Sequence, residues 1–583
     1  MLAVRKALIA LAISVAAVVM LAAPAGAHAS LIQTQPAASQ VYTNPPQAIV
    51  LRFNESVQVS LGGIRLFDST GHRIETGAPS HPNGNASTVR VTVPKLKNGT
   101  YVATWRVISA DGHPVQNGFT FSVGEVSASG ANAQSLANRL LSQQGGSRIV
   151  GVINGVVRFV EFAASGLLLG AFGFVVWCWP RGRRARVVTR IIGGSWIVAF
   201  VGAIAAILIE SSYTAGLGIA DSVKPSIVRD YLHTSVGHVM ELRVVVLLVI
   251  FGFGRLLLRR SSFGTARTAV AGALALGLLA TFTFAGHART GMQIPGAVVS
   301  DLGHLAAFSL WFGGLVVLVV AVLRPDDPSE LEPAVTRFST VALGAVVVLT
   351  STGIYQGWRQ VGSFGALKST TYGRLLLVKV ALVAVVVLVA ALTRDIVRQR
   401  LYEDDLDDEL LDDADVREPM PVGPGAALAD LGLEARADTA RRLRISVGLE
   451  VLFLVGVLSV TALLVNAAPA RSAVDAPFAA TIAAKGAEFE LLDVPARTGP
   501  NELHITVLKP NGVVFNVLRV DAEISNAAKN IAPIKLTLIK LGPGHYTTNS
   551  LIIPFSGKWT INIKALVTDI DEVAVTTTMT IRA

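Results

Sequence analysis

Three residues in the first part of the chain have the types and spacing of metal ligands. Residues 1–27 have the basic start, apolar stretch and small-residue junction of a secretory signal, and cleavage after Ala27 would leave His28 at the N-terminus, where its α-amine and imidazole can chelate together. Asp111 and His113 lie two positions apart and project to the same side of an extended strand. Two imidazoles, one amine and one carboxylate suit Cu(II) in a tetragonal site. The alternatives are an uncleaved membrane anchor and a polar Asp-Gly turn, and spacing alone does not decide.

A second group of ionisable residues lies in or beside apolar segments farther along the chain. Asp301 and His304 are three positions apart, hence on one face of a helix, and His287 ends the preceding apolar segment. His233 and His238 precede an earlier segment, and their separation of five does not place them on one face. Ionisable groups in a membrane usually face a bundle interior or a water-filled cavity. Each histidine alone is most simply an interfacial hydrogen bonder, whereas four at the same side favour a path for a ligand.

The composition excludes a metal site built from several cysteine thiolates or from a methionine-rich tract. Cys178 is the only cysteine, so neither an intramolecular disulfide nor a thiolate cluster within one chain can form, and the six methionines are scattered. A bound metal therefore needs imidazole, carboxylate or chain-terminus ligands. The sequence has no ATP-binding motif of the Walker type, so any transport would use a gradient or the membrane potential.

The apolar segments that position these residues indicate a polytopic membrane protein. The 583 residues are 51% hydrophobic and 15% charged, against about 25% charged in soluble proteins. Eight segments are long enough for a bilayer span, which needs roughly 18 or more apolar residues. Glu161 follows Arg158 by three positions in the first of them, which predicts a local ion pair. The spans are predicted at 150–179, 191–212, 236–258, 267–287, 297–323, 336–358, 374–393 and 444–467.

Alternating strand patterns flank these segments on both sides. Residues 28–125, punctuated by Asn-Gly and Asp-Gly turns, predict an all-β sandwich, and residues 475–583 predict a second, small β sandwich. A linker rich in Ser, Ala, Gly and Gln, 126–148, precedes the transmembrane domain, 149–467. The predicted fold class is a multi-domain membrane protein with an N-terminal all-β sandwich, an eight-helix transmembrane bundle and a C-terminal small β sandwich.

The positive charges indicate a membrane topology rather than a nucleic-acid surface. The net charge of +10 is spread over short basic groups beside apolar segments, such as 181–190 and 441–444, and does not form one patch. By the positive-inside rule these groups are cytoplasmic, which places both β domains outside. The loop 395–443, with nine acidic residues between positions 403 and 415, is then cytoplasmic and is interpreted as a solvated, partly disordered linker, with a metal-capturing loop as the alternative.

The N-terminal segment contains five short motifs that can be compared with known families. They are His28-Ala29-Ser30-Leu31 at the cleavage junction, Pro36-Ala37, Pro45-Pro46, Leu51-Arg52-Phe53-Asn54-Glu55 and Asp111-Gly112-His113-Pro114-Val115. With these motifs the segment resembles the CopC family of copper-binding proteins. The resemblance implies a β sandwich in which His28, Asp111 and His113 bind Cu(II), with Glu55 as an assisting acidic residue. The methionine-rich Cu(I) site of some family members has no counterpart here.

The fourth to seventh spans also contain motifs that can be compared with known families. They are Asp301-Leu302-Gly303-His304 through Trp311-Phe312-Gly313-Gly314, Arg337-Phe338-Ser339, Ser351-Thr352-Gly353, and Tyr372-Gly373-Arg374 through Lys379. With these motifs the spans resemble the CopD membrane family. Fused CopC–CopD chains are associated with copper uptake and resistance. The C-terminal unit is similar to small β domains often appended to CopD proteins, and it is a candidate for binding an extracytoplasmic protein partner.

These features together predict a copper homeostasis protein of the bacterial plasma membrane, and not an enzyme. It would capture Cu(II) outside and pass it to the bundle for uptake, with copper ions and membrane lipid as partners and no nucleic acid. One alternative is a haem-binding or redox membrane protein, because histidines on neighbouring helices also suit a b-type haem. Another is an oxidative enzyme that uses His28 and His113 as a copper brace.

Overall fold

The structure, a computed structural model, describes most of the chain. His28, Asp111, the predicted signal 1–27 and nearly all of the predicted linker lie outside the described residues, so the predictions about them stay predictions. The described residues are 29, 31–37, 41–110, 112–124, 136, 140, 147–258, 264–290, 293–323, 331–362, 364–414, 425–467, 469–470, 478–494, 496–510 and 514–581.

The N-terminal domain consists of two sheets that share one hydrophobic core. One sheet has the order β1-β3-β6 and the other β2-β8-β7-β4-β5. Alternate residues of β3 point inward, so that Leu51 and Phe53 are buried with Trp105 and Phe121. The predicted all-β fold of this domain is confirmed. Its strands are β1 Leu31–Gln35, β2 Val41–Tyr42, β3 Ala48–Phe53, β4 Val57–Asp68, β5 Arg73–Ile74, β6 Thr88–Thr92, β7 Gly99–Ser109 and β8 Pro114–Val123.

Helices form the middle of the chain, and eight of those in the described residues are long and apolar enough to cross a membrane. This number agrees with the sequence prediction. The spans belong to α1, α2, α4, α5, α6, α7, α9 and α10, and α6 continues into a π-helical turn, Leu318–Val322. The helices are α1 Arg148–Trp177, α2 Arg186–Ala215, α3 Pro225–Leu232, α4 Ser235–Leu258, α5 Thr265–Phe284, α6 Ile294–Val317, α7 Leu331–Val361, α8 Phe364–Ser369, α9 Thr371–Ala414 and α10 Gly425–Asn466.

The helices α1 and α6 pack closely. A Cβ added at Gly170 would collide with the Ser309 carbonyl oxygen, and one added at Gly313 would lie 2.7 Å from the Gly170 Cα. Glycine at both positions lets the two backbones touch, as small residues do where membrane helices pack. This contact fixes α6, which carries Asp301 and His304, against the centre of the bundle.

Buried ion pairs join the helices, but not as the sequence spacing suggested. The predicted pair of Arg158 with Glu161 is wrong: Arg158 binds Glu210 on α2 at 2.9 Å, and Glu161 accepts two hydrogen bonds at 3.1 Å from Arg243 on α4. Each carboxylate meets a guanidinium of a facing helix because the bundle brings those helices into contact at these positions. A buried charge needs a partner with good geometry, and a facing side chain supplies it better than one on the same helix.

The segment 395–443, predicted as a solvated, partly disordered linker between the last two spans, is helical over much of its length. The helix α9 continues to Ala414 and α10 begins at Gly425. From Arg374 to Ala414 the sequence contains neither glycine nor proline. Nothing there interrupts the backbone hydrogen bonds, and adding a residue to an existing helix costs far less than starting one.

The C-terminal domain is also built from two sheets over a single core. The sheets have the orders β14-β15-β11-β10-β9 and β13-β12-β16-β17, and Trp559 and Phe489 are fully buried between them. Its strands are β9 Phe478–Ala484, β10 Ala487–Val494, β11 Gly499–Leu508, β12 Arg519–Asn526, β13 Ile531–Leu536, β14 Ile539–Gly542, β15 His545–Ile553, β16 Gly557–Leu566 and β17 Glu572–Ile581.

Candidate functional site

The site begins at the turn between β7 and β8, which positions His113. The Gly112 N–H and the Ser109 N–H close this turn by donating to the Ser109 and His113 carbonyl oxygens, both at 2.9 Å. Gly112 has a φ of 88°, which favours glycine, and a Cβ there would come within 3.0 Å of Val236 on α4. The tight turn therefore brings His113 directly against the helical bundle, where its side chain is 7% exposed.

Arg106 on β7 anchors the N-terminal domain to the bundle. Its Nε donates to the Thr214 carbonyl and its Nη2 to the Tyr213 carbonyl, both at 3.0 Å. These carbonyls belong to the last turn of α2, where carbonyl groups have no partner within the helix and a positive charge is favourable. Gln58 adds a hydrogen bond of 2.9 Å from its Nε2 to the Ser235 hydroxyl at the start of α4.

Apolar contacts complete the interface. Leu61 and Ile108 of the β domain form one buried cluster with Tyr231, Val236 and Met240 of the bundle. The N-terminal domain thus rests on the ends of α2 and α4 through both polar and apolar contacts.

At this interface the His113 ring stacks on the His287 ring, which follows α5. The ring centroids are 4.7 Å apart and the planes are inclined by 16°. His113 Nε2 also lies 2.9 Å from the Val465 carbonyl in the last turn of α10. Because a carbonyl only accepts, Nε2 carries the proton, and a neutral His113 has its lone pair on Nδ1. The structure therefore brings together one histidine of the predicted β-domain site and one of the predicted membrane group.

Arg359 on α7 holds the segment that carries His287. Its Nη1 donates to the His287 carbonyl at 3.0 Å and its Nη2 to the Thr290 carbonyl. The Thr290 hydroxyl donates to the same His287 carbonyl at 3.2 Å. A short 3₁₀ turn, His287–Arg289, is thereby tied to the end of α7. These bonds fix the position from which the His287 ring faces His113.

Asp301 and His304 lie farther into the bundle on α6. The Asp301 carboxylate accepts a 2.7 Å hydrogen bond from Thr283, which lies in the last turn of α5 shortly before His287. His304 Nδ1 lies 2.8 Å from the Thr352 hydroxyl.

The hydrogen bonds of Thr352 define the tautomer of His304. The Thr352 hydroxyl donates to the Val348 carbonyl at 2.6 Å, so it accepts from His304 Nδ1–H. Nε2 of a neutral His304 is then its basic nitrogen, the one able to bind a metal. Lys379 on α9 interacts electrostatically with both Asp301 and His304.

The remaining predicted site residues lie elsewhere. His233, at the end of α3, and His238, on α4, are both exposed and are not brought to the His113–His287 contact. The Glu55 carboxylate accepts a long hydrogen bond, 3.4 Å, from the Ala110 N–H beside the His113 turn. Among the described residues, no group of three or more His, Cys, Asp or Glu side chains is disposed to hold a metal ion. That result does not test the predicted chelate, since His28 and Asp111 are outside those residues.

Sequence reasoning missed Arg106 and Arg359, the two cations that hold the interface and the His287 turn. Neither belongs to a motif, and each acts on backbone carbonyls far away in sequence. Arg359 could have been noticed in the sequence, since a charged residue at the end of an apolar span is energetically costly and indicates a specific interaction. The structure also brings together two histidines of the C-terminal domain, His504 and His545.

The architecture and the paired histidines define a class: a multi-pass membrane protein with a β domain docked on one end of its bundle. Three family models match this chain. The CopC domain model matches residues 31–124, the model of the copper resistance protein D-like N-terminal domain matches 149–297, and the copper resistance protein D model matches 332–464.

The chain therefore joins CopC and CopD family domains in one protein, and the resemblance drawn from its motifs is confirmed. The copper transport protein CutJ of Bacillus subtilis (strain 168) is 24% identical over 582 residues, which cover 95% of this chain and 96% of CutJ. Protein YobA of Escherichia coli (strain K12) is 36% identical over 98 residues, which cover 17% of this chain and 79% of YobA. The crystal structure of CopC from Methylosinus trichosporium OB3b is 30% identical, covers 16% of this chain and 93% of its own, and has a TM-score of 0.16.

Proposed function

We propose that this protein captures Cu(II) outside the plasma membrane and passes it through its transmembrane bundle for uptake into the cell. In this proposal it is a carrier and not an enzyme. The capture site consists of His28, Asp111 and His113, with Glu55 assisting, and the first acceptor is His287. Asp301 and His304 are the next ligands along the path, and His233 and His238 are not part of it. The relatives that share its domains, named for copper transport and copper resistance, support this role.

The stack of His113 on His287 is the observation that carries the proposal. An imidazole nitrogen binds a metal at about 2.0 Å, so one ion can contact nitrogens of two rings up to about 4 Å apart. The two ring centroids are separated by 4.7 Å. A metal binds an imidazole in the plane of its ring, so one of the two rings must turn out of the stack for the ion to gain a ligand on the bundle before it loses one on the β domain. Such an exchange avoids release of the ion into water.

The route onward follows the polar side chains between α5, α6 and α7. Asp301 lies beside Thr283 at the end of α5, and His304 is one helical turn farther along α6. Gln356 on α7 adds a 3.4 Å hydrogen bond to the Asp301 carboxylate. A carboxylate followed by an imidazole offers a cation two successive ligands. The positive charge of Lys379 repels the cation, and the negative charge of an ionised Asp301 offsets that repulsion.

The charges at the helix ends support a placement of both β domains outside the membrane. The N-terminal domain contacts the end of α2 and the start of α4, and the basic group that contains Arg181, Arg183 and Arg184 lies at the opposite end of α1 and α2. The positive-inside rule puts that opposite end in the cytoplasm. The C-terminal domain, whose two packed sheets support a small β sandwich, follows the same end of α10 as Val465.

The haem alternative needs two imidazoles directed at one iron from opposite faces of a porphyrin. His113 and His287 instead stack ring upon ring with nearly parallel planes, and the His304 Nδ1 is engaged by Thr352. A visible absorbance spectrum of the purified chain distinguishes the two functions, because haem gives an intense Soret band. We expect no such band.

The decisive experiment measures cellular copper in a strain that lacks this chain and in strains that express the parent, His287→Ala or His233→Ala. His233 is the matched control, since it is also a histidine in a connection at the β-domain end of the bundle but its side chain is exposed. We expect the parent and His233→Ala to raise cell copper at limiting external copper, and His287→Ala to lose most of that increase.

Two results would contradict the proposal. Equal copper accumulation by His287→Ala and the parent, at equal protein level, removes His287 from the path. A fall in cell copper on expression of the parent, at limiting and at toxic external copper, means export or sequestration outside rather than uptake.

A further inference from the structure

A pair of histidines that the proposed path does not use lies on one face of the C-terminal domain. The strands β11 and β15 are antiparallel, with His504 opposite Thr547 and Thr506 opposite His545. Directly opposed residues project to the same side of a sheet, and so do residues two apart on one strand. His504 and His545 are therefore diagonal neighbours on the same face.

Their ring nitrogens have the spacing of two ligands on one metal ion. His504 Nδ1 lies 3.1 Å from His545 Nε2, with ring centroids 5.3 Å apart. Two imidazoles bound at about 2.0–2.1 Å, with an angle of 90–110° between them, place their nitrogens roughly 2.9–3.4 Å apart. A linear two-coordinate ion would require a wider separation, about 4 Å on the same bond lengths. The observed distance fits the neighbouring positions of a four-coordinate ion.

The two histidines differ in exposure. The His545 side chain is 0% exposed. His504 is partly exposed, so water can reach the pair from its side.

A carboxylate orients the second ring. Glu502 Oε1 lies 3.3 Å from His504 Nε2, and the hydrogen bond from His504 lowers the pKa of Glu502. A carboxylate on the far nitrogen of an imidazole is the usual partner that orients a metal-binding histidine.

We propose that His504 Nδ1 and His545 Nε2 bind a second Cu(II) ion on the C-terminal domain, with water completing its coordination and Glu502 orienting the His504 ring. Imidazole is a ligand that Cu(II) prefers, and the domain belongs to a copper-handling chain. With two protein ligands this ion is held more weakly and exchanges faster than one held by a chelate of four donors. The site is separate from the His113–His287 contact and does not depend on it.

The test uses the full chain, purified in detergent and carrying His113→Ala so that the N-terminal site is weakened. Copper(II) chloride is titrated against glycine as a competing chelator, and bound Cu(II) is counted and examined by electron paramagnetic resonance. We expect this chain to bind one equivalent whose spectrum shows coupling to two imidazole nitrogens. Adding His504→Gln should remove that equivalent, and adding His72→Gln, which changes an exposed histidine of the N-terminal domain, should leave it.

Glu502→Gln gives a second variant that spares the ligands, and we expect it to weaken copper binding about 10-fold to 100-fold. Resistance of the C-terminal domain to proteolysis reports whether each variant folds. The proposal is overturned if the His113→Ala chain shows no nitrogen-coupled Cu(II), or if a folded His504→Gln chain binds as much copper as the His72→Gln control. The first of these results is obtained without any substitution in the C-terminal domain, so it tests the proposal even where a C-terminal variant does not fold.

Discussion

Replacing Arg106 with methionine should release the N-terminal domain from the bundle while leaving the domain itself folded. Methionine keeps an apolar stem but loses the guanidinium that donates to the Thr214 and Tyr213 carbonyls, each at 3.0 Å. A hydrogen bond from a charged group is worth about 1.5–3 kcal/mol, and part of two such bonds is recovered when water reaches the carbonyls. A net loss of about 2–4 kcal/mol shifts the docking equilibrium by roughly 30-fold to 700-fold.

The docked fraction can be measured by cross-linking, because the chain offers a clean background. Cys178 is the only cysteine and is buried, so Cys178→Ala removes the one native thiol. Cysteines introduced at Gln58 and Ser235, whose side chains are 2.9 Å apart across the interface, can then be bridged by a short bismaleimide. We expect Arg106→Met to slow bridging at least tenfold and to reduce copper accumulation by cells, with Cu(II) binding at the N-terminal site unchanged.

Arg65→Met is the matched control, since Arg65 lies on β4 of the same sheet and is exposed. It should bridge as fast as the parent. Equal bridging rates for Arg106→Met and Arg65→Met would refute the reasoning, because the guanidinium would then contribute nothing to docking. If Arg106→Met bridges slowly but cells accumulate copper normally, the guanidinium contributes to docking and docking is not needed for copper transfer.

Further predictions concern other parts of the molecule. One residue added before His28 should weaken Cu(II) binding sharply in a competition titration, because the α-amine is then displaced; equal affinity would exclude the chelate. His304→Ala should cost about 1 kcal/mol and leave expression near normal, yet reduce copper accumulation; an unchanged copper level at equal protein level would make His304 a packing residue. Gly170→Val should lower the thermal stability of the chain in detergent, whereas Gly193→Val, where a Cβ would meet nothing within 4 Å, should not; equal shifts would contradict the close contact. Burial raises the pKa of Asp493 to about 7, so the folded protein holds this proton more tightly than the unfolded chain and loses stability as pH rises from about 4 to 7. Asp493→Asn should therefore raise the stability of the C-terminal strands at pH 8, by at most about 4 kcal/mol, and should change it little at pH 4. Hydrogen exchange, corrected for the intrinsic exchange rates, measures the stability at both pH values. A stability difference that does not depend on pH would contradict this.

The spans and strands could be predicted from sequence because their signals are local. A run of apolar residues of sufficient length has few alternatives to a membrane helix, and the structure begins the first span at Arg148, two residues before the predicted start. The ends of α9 and α10 could not be predicted in the same way. Charged residues after an apolar run are compatible with either a loop or a continued helix, and only the absence of glycine and proline favoured the helix.

Contacts between distant residues could not be read from the sequence. His113 bonds to Val465 across 352 positions, which depends on how the domain docks. His504 and His545 are 41 positions apart, and their contact depends on the register of β11 with β15, which shifts at a bulge between Asn501 and Leu503. Spacing can identify the two members of such a pair as potential ligands. It contains no information on which strands pair or in what register.

Arg106 and His113 reach across the interface to carbonyl oxygens of the backbone, at Tyr213, Thr214 and Val465. Every residue type supplies that oxygen, so the helices can exchange the side chains at these three positions during evolution without losing the bonds. For these three bonds the restraint on sequence change is therefore one-sided, because it acts on the β domain and not on the helix positions that supply the carbonyls. Covariation should accordingly be weak at Tyr213, Thr214 and Val465, and strong where side chains meet side chains, as at Gln58 with Ser235 and Ile108 with Val236.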